Sequence, residues 1–334
     1  MSDRAFEYLI QLLRPALGER TGTMPTLTAD EWREVYRLSV KHAVVALVWD
    51  GVEHMQAVEP TVLDNMPPDL MGKWFADVQT IVTANRHMAL LAANVQNMLY
   101  AGGFVSCLLK GASLAQYYPN PEHRQSADID LWVLPQNGQS IHAHRRSLLA
   151  YLRMQPDVVI GEIVFHHIET TIGGTEVELH VTPTWLCNPI YNNRLQRLFA
   201  HSRELTPELQ ELYTLLHAFR HIWHDGLALR HLADYYLVCR HNRQAGIAAP
   251  GRLYARLGLA TFARALDELT DLLFAGNSAI ADTNDLLPRA QHILLTLRER
   301  RISSAVQRDY PREYLFNLPW RSAHYLWRKR NNYL

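Results

Sequence analysis

Two aspartates one residue apart, Asp128 and Asp130, sit between Ala127 and the apolar Leu131-Trp132-Val133. On a strand, residues i and i+2 point to the same face, so these carboxylates would meet. Crowded carboxylates repel, and a divalent cation is the usual way to hold them charged together. Upstream, an apolar run over residues 104–109 meets a small-residue turn, Lys110-Gly111-Ala112-Ser113. A hard oxygen site beside a turn that can approach phosphate is the plan of a Mg²⁺-dependent phosphoryl or nucleotidyl transferase.

A third acid lies downstream. Residues 171–181 read as the end of one strand, a Gly173-Gly174 turn and a second strand. In that second strand Glu176, Glu178 and His180 share one face, while Val177, Leu179 and Val181 share the other. The alternation is that of a half-buried strand with a polar face. Glu178 beside Asp128 and Asp130 would give three carboxylates for two metal ions. Alternation alone does not separate Glu178 from Glu176.

Three segments together carry a family resemblance. They are Lys110-Gly111-Ala112-Ser113-Leu114-Ala115 with Tyr117-Tyr118, then Pro121 and Arg124 leading into Asp128-Ile129-Asp130-Leu131, then Val177-Glu178-Leu179-His180. This set resembles the nucleotidyltransferase superfamily of DNA polymerase beta. More narrowly, it resembles a bacterial family of uncharacterised nucleotidyltransferases with the same Lys-Gly turn, DxD and valine-glutamate-leucine-histidine strand. The resemblance is specific over residues 100–185 and looser over 205–240. It implies that Gly111 and Ser113 form the small-residue motif, although Ala112 separates them where the superfamily more often has an adjacent Gly-Ser pair. It implies that Asp128 and Asp130 are the first two metal ligands, and it selects Glu178 over Glu176 as the third. Two Mg²⁺ ions are expected, with Mn²⁺ as a substitute. Lys110, Gly111 and Ser113 would bind the leaving phosphates of an NTP. In the downstream helices His221, Arg230 and Asp234 match a family segment that would contact nucleotide or acceptor.

Each of these groups has a plainer alternative. A DxD also marks sugar-nucleotide glycosyltransferases, but their fold needs several βα units before it, and the first hundred residues here look helical. Ser113 would serve equally as a helix cap, and helix-start amides attract phosphate in any case. Arg124, four residues before the DxD in a Pro-flanked loop, is expected at a phosphate or substrate; otherwise it is solvated. His180 is expected as a substrate or metal-shell group. His166, His167 and His180 lack any diagnostic zinc spacing. His217, His221, His224, Asp225 and Asp234 have the residue types of a metal phosphohydrolase but not a convincing spacing. Arg230 and Asp234, at i and i+4, would also pair with each other.

Lysine plus arginine equals aspartate plus glutamate, 33 each, so nothing pulls the whole chain toward nucleic acid or anionic membrane. A small molecule, a sugar or a protein is therefore favoured over nucleic acid as acceptor. Lys110 is one of few lysines among those 33 basic residues, which makes its place at the turn informative. Three scattered cysteines exclude a disulfide framework. The first residues do not read as a secretory signal, and no apolar run is long enough to span a bilayer. A cytoplasmic location is expected. A non-catalytic nucleotide-binding regulatory or scaffold module is the second functional reading.

The expected fold class is α+β: a small mixed polymerase-beta-like sheet flanked by helical regions at both ends. The division is residues 1–103 helical, 104–204 the nucleotidyltransferase core, and 205–334 helical again. Helices are expected over 4–17, from a Thr28 capping box to Ser39, over 40–54, and from Pro67-Pro68 to Tyr100. The last should carry a core stripe of Ile81, Ala84, Met88, Leu91, Val95 and Met98. The core should run βαβαββ: strand 104–109, helix 113–118, strand 128–134, helix 138–154, then a hairpin of 163–170 with 176–181. Further helices are expected over 209–218, 230–240, 253–275 and 284–303, followed by an irregular strap over 310–334.

Overall fold

The computed structural model describes residues 3–135, 139–202, 204–223 and 226–275, together with Ala290, Ile293, Leu294 and Leu297. His224, Asp225, the strap over 310–334 and most of the expected helix 284–303 lie outside the described residues.

Four helices open the chain: α1 (Asp3–Ala16), α2 (Ala29–Lys41), α3 (Val45–Val58) and α4 (Pro68–Ala101). Thr28 caps α2 as its sequence suggests. Its hydroxyl accepts the Glu31 amide at 3.3 Å, and Glu31 accepts the Thr28 amide at 2.8 Å. The helix expected over 40–54 starts later, because the chain turns at His42–Val44 with Ala43 in the left-handed region (φ 55°).

The 34-residue α4 is the longest element. Its buried positions are Leu70, Trp74, Val78 and Val82, then Ala92, Val95 and Leu99. Of the expected stripe only Val95 is buried, and Ala84 is exposed. At 100° per residue, the ten steps from Val82 to Ala92 rotate the inward face by about 80°. Each half of α4 serves a different core. The first half packs with α1–α3, and the second half packs on a sheet.

That sheet has five strands: β1 (Ser106–Leu108), β2 (Ile129–Val133), β3 (Val158–Ile163), β4 (His167–Ile172) and β5 (Thr175–His180), in the order β1-β2-β5-β4-β3. Between the strands lie α5 (Ala112–Ala115) and α6 (Ile141–Leu152). The architecture is thus α+β, with a mixed sheet and flanking helices. β2 and β5 are parallel, and the other pairs are antiparallel. The β4–β5 turn is Gly173-Gly174, both at positive φ (58° and 79°), the conformation a two-residue hairpin demands. β3 extends the expected βαβαββ order by one strand. It is joined to β4 through Val164, Phe165 and His166, a turn with no glycine or proline to announce it.

One face of the sheet buries Ile129, Leu131, Val133, Ile168, Val177 and Leu179 against α4 and α6. On the opposite face Trp132 packs edge-on against Phe199, ring centroids 5.7 Å apart. Phe199 belongs to α7 (Pro189–His201), which Asn188 caps by accepting the Ile190 and Tyr191 amides. The chain continues through α8 (Pro207–Trp223), α9 (Leu229–Gln244), α10 (Gly251–Arg256) and α11 (Ala260–Thr270), then a wider turn over Asp271–Ala275. The single helix expected over 253–275 is interrupted at Leu257–Leu259. Helices from both ends of the chain share one core, and Arg14 Nε donates to Leu273 O at 2.9 Å inside it. Among the described residues, no helix is long and apolar enough to cross a membrane.

The core segment is bolted to the C-terminal helices by Arg124 and Asp234, each 2 % exposed. The guanidinium donates Nε and Nη2 to the two carboxylate oxygens at 2.7 and 2.8 Å, and Tyr118 adds a hydroxyl at 2.8 Å. Breaking a buried pair leaves an uncompensated charge. Arg124→Ala is therefore expected to cost about 3–5 kcal/mol, read as a lower urea midpoint, whereas Arg124→Met with Asp234→Leu recovers most of the loss. An Arg124→Ala protein with an unchanged midpoint would show the pair to be inert.

Candidate active site

The acids meet because two strands are in register. Parallel pairing sets Asp130 opposite Glu178 and Trp132 opposite His180. Strand alternation sends Ile129, Leu131, Val177 and Leu179 to the core face, so Asp130, Glu178 and His180 emerge together on the other. Their polar atoms lie within 4.8 Å of one another. His180 Nε2 contacts Asp130 Oδ1 at 2.9 Å and Glu178 Oε2 at 3.0 Å, so this nitrogen carries the proton and donates to both. Asp128 stands just before β2, and Lys110 joins it to the cluster: Nζ is 2.8 Å from Asp128 Oδ2 and 3.0 Å from Asp130 Oδ2. Glu176 is exposed two residues earlier on β5, opposite Thr171.

Burial alone would keep these acids neutral, and neighbouring charge reverses that. Burial raises the Glu178 pKa, but the His180 hydrogen bond and charge, then His167 and Lys110, bring it down to about 2. Asp130 is also lowered, with burial opposed by Lys110 and His180. His180 is raised in turn: burial disfavours its charge, and Asp130 and Glu178 more than compensate. Lys110 is likewise raised by Asp130 and Asp128 against burial. The site is therefore an alternating lattice of charge in low dielectric.

The lattice extends onto β4, which the sequence did not single out as acidic. Antiparallel register places Glu169 opposite Glu178 and His167 opposite His180. Two glutamates facing each other would repel. His167 lies 3.5 Å from both, through Nε2 to Glu169 and Nδ1 to Glu178. The Glu-Thr-Thr-Ile alternation before the glycine turn was the available signal for Glu169.

The remaining expected residues fall in different places. Gly111 adopts φ 68° and ψ −121°, a region that essentially only glycine visits, and caps α5. A Cβ there would meet nothing nearer than Ser126 Oγ at 3.8 Å, so the space beside the turn is open. Ser113 Oγ donates to Lys110 O at 3.2 Å and steadies the turn. Arg124, expected at a phosphate, has its fork filled by Asp234, and its remaining Nη1 donates to Ser126 Oγ at 3.0 Å. Asp234 is correspondingly the partner of Arg124 and Tyr118 rather than of Arg230. Arg230 donates Nη1 to Gln125 O at 2.8 Å, which places the start of α9 against the loop leading to Asp128. α8 approaches the turn from the same side, with Gln210 Nε2 on Leu109 O at 3.3 Å.

His221 forms a cluster with His217 and His231, their ligand atoms within 4.8 Å of one another. Hydrogen bonding argues against a zinc site in this arrangement. His231 Nδ1 accepts the Ala228 amide at 3.1 Å, which puts the neutral ring's proton on Nε2. Neither nitrogen then offers a lone pair to a metal. His217 and His221 share one hydrogen bond, Nε2 to Nε2, at 3.1 Å. Burial, then the charges of neighbouring histidines and Lys110, hold His217 and His231 far below the ordinary imidazole pKa.

A cleft of about 280 Å³ opens beside Lys110, Gly111 and Asp128. Its far wall is the stretch of α4 between the two cores, including Asn85, Met88 and Ala89. Asn85 was not legible as a site-building residue. Its amide donates to Glu122 O and Arg124 O at 2.6 and 2.9 Å and accepts the Ser126 amide at 3.3 Å, fixing the loop that leads to Asp128.

A family model described as "Uncharacterised nucleotidyltransferase" matches residues 28–275. The chain belongs to that family. No curated protein and no solved structure matches it. The matched span begins at the Thr28 cap and takes in the turn, both acid strands and α2 to α11.

Asp130 and Glu178, in a group with His180 that could hold a metal ion, supply carboxylate oxygens of the kind a hard divalent cation takes. Asp130 Oδ2 is buried with a charge beside it but no hydrogen bond of proper geometry. Lys110 is the cation these oxygens already contact. Lys110→Gln is expected to lower stability in EDTA by about 3 kcal/mol, the low end for opening a buried pair because His180 still touches Asp130. Millimolar Mg²⁺ should recover more of the melting temperature in Lys110→Gln than in wild type. Equal Mg²⁺ response in the two proteins would count against a shared cation position.

Proposed function

We propose that the protein is a Mg²⁺-dependent enzyme that moves a nucleoside monophosphate from an NTP to an acceptor hydroxyl or phosphate. The observation that carries this reading is the in-register pair Asp130–Glu178, with Asp128 brought to it by Lys110. Two acid strands side by side, a glycine turn at one end and family membership support a polymerase-beta-like core. Asp128 and Asp130 would hold two ions and Glu178 one of them. Bound there, Mg²⁺ (or Mn²⁺) supplies charge opposite the phosphates and a lower pKa for the acceptor.

The chain's own residues do the rest. His180 keeps Asp130 and Glu178 converged by donating to both. Lys110 balances Asp128 and Asp130 in the free protein and lies where the leaving phosphates would emerge beside Gly111. The acceptor oxygen bonds to the α-phosphorus. The bond from that phosphorus to the oxygen shared with the β-phosphate breaks, and pyrophosphate leaves with the electron pair. The acceptor's proton passes to solvent. Charge balance across the chain favours a small molecule, a sugar or a protein as acceptor over nucleic acid.

NTPs labelled at the α- or γ-phosphate, incubated with the protein, Mg²⁺ and fractionated extract, test the reading. Label is expected to enter an acceptor from the α-position only, with pyrophosphate released. Asp130→Asn and Glu178→Gln should each slow transfer on the order of 10²–10³-fold or more, the scale for loss of one preorganised electrostatic partner. Transfer of γ-label would make the protein a kinase, and full activity in Glu178→Gln would remove the third acid.

A further inference from the structure

We propose that the cleft between α4 and the Lys110–Gly111 turn receives the nucleobase of the NTP and holds it by apolar contact, without reading its hydrogen-bonding edge. This rests on the nucleotidyl-transfer reading and adds to it the place of the base and the breadth of substrate.

The cleft is joined to the acids at one end only. Lys110, Gly111 and Asp128 line it, whereas Glu178, His180 and His167 do not. Sheet face and strand order explain the separation: Leu108 and Ile129 line the cleft from the α4 face, whereas Asp130 and Glu178 emerge on the other. β1 and the turn lie on one side of β2, and β5 and β4 lie on the other. An in-line displacement brings the acceptor to the α-phosphorus opposite the departing pyrophosphate. With Glu178 serving the acceptor, the acceptor approaches over β5, the pyrophosphate departs toward the Lys110–Gly111 turn, and the base is left the α4 wall beyond that turn.

The lining decides which part of the nucleotide enters. Met88, Ala89, Leu108, Ala115 and Ile129 give it an apolar surface. Most of its polar side chains are already engaged elsewhere in the protein. Asn85 uses both ends of its amide on the loop. Arg124 is held by Asp234, and Arg86 by Glu122 at 2.5 and 2.6 Å. A triphosphate laid along the α4 wall would lose its hydration for little in exchange, whereas Lys110 and the Gly111 turn at the edge of the cleft can keep the phosphates there. A flat, neutral ring loses little and buries its faces. At about 280 Å³ the cleft lies near the lower end of small-ligand pockets. Arg86 and Gln116, both exposed, offer only groups that water also serves, so they distinguish one base edge from another weakly.

The cleft itself arises from α4. No residue between Val82 and Ala92 is buried, because there the helix passes from one core to the other. That gap leaves small and flexible side chains facing the turn.

Calorimetric binding of ATP, GTP, CTP, UTP and inorganic tripolyphosphate, each with Mg²⁺, tests the proposal on wild type and two variants. Ala89→Phe fills the cleft from an exposed helix position. Met88→Ala strips part of its wall. Wild type is expected to bind all four NTPs within about tenfold of one another. Ala89→Phe should weaken each by about tenfold or more, roughly 1.4 kcal/mol, and Met88→Ala should weaken each less. Tripolyphosphate should stay within about twofold throughout. Unchanged NTP affinity in both variants would move the base elsewhere. An equal loss for tripolyphosphate would put the phosphates in the cleft. Strong preference for a single base in wild type would overturn the absence of edge reading. Wild type binding neither NTP nor tripolyphosphate would overturn the nucleotidyl-transfer reading itself, and this inference with it.

Discussion

Everything in the site depends on keeping carboxylates charged where water is scarce. Asp130 is 2 % exposed and sits directly across from Glu178. Left alone, two such groups would repel and take up protons. Lys110 and His180 prevent this from opposite sides, one reaching Asp130 from the turn and the other from β5. His180 is buried and Lys110 half-buried, and each depends on the acids for its charge. The arrangement is mutual, so removing any one member disturbs the rest. It also fixes geometry, because His180 meets both carboxylates only while the β2–β5 register holds.

The surrounding structure exists largely to hold that register and the turn beside it. α4 carries the sheet on its second half and the helical layer on its first, so it spans both cores. Where it passes between them, Asn85 ties the loop leading to Asp128. The same loop is anchored from the other side by Arg124 on Asp234 and by Arg230 on Gln125 O. Asp128 thus stands on a segment fastened to both the N-terminal and the C-terminal helices, which share a single core. Arg124, Asp234 and Arg230 resemble binding groups in sequence, yet in the structure they act as fasteners of the segment that carries one.

Several parts of this were legible in the chain. The Thr28 cap, the start and end of α4, and the Gly173-Gly174 hairpin follow from local rules, since each is stabilised by atoms within a few residues. The acid face of β5 follows from strict alternation. Other parts carried no local mark. The turn between β3 and β4 contains Val164, Phe165 and His166, and nothing in those residue types announces a reversal. The stripe on α4 was misplaced because a single period assumes a single core.

The sequence by itself determined which residues could do chemistry: two aspartates on one strand, a glutamate and a histidine on another, and a lysine at a glycine turn. Periodicity and turn chemistry are short-range properties, and they set which face each side chain takes. Only the tertiary structure decided which faces meet. The parallel pairing of β2 with β5 joins residues about fifty positions apart and sets Glu178 directly opposite Asp130. Packing of α9 against the loop before Asp128 gives Arg124 to Asp234, although i,i+4 spacing offered Arg230. Such choices depend on long-range register and on the cost of burying an unpaired charge. No window of sequence contains either quantity.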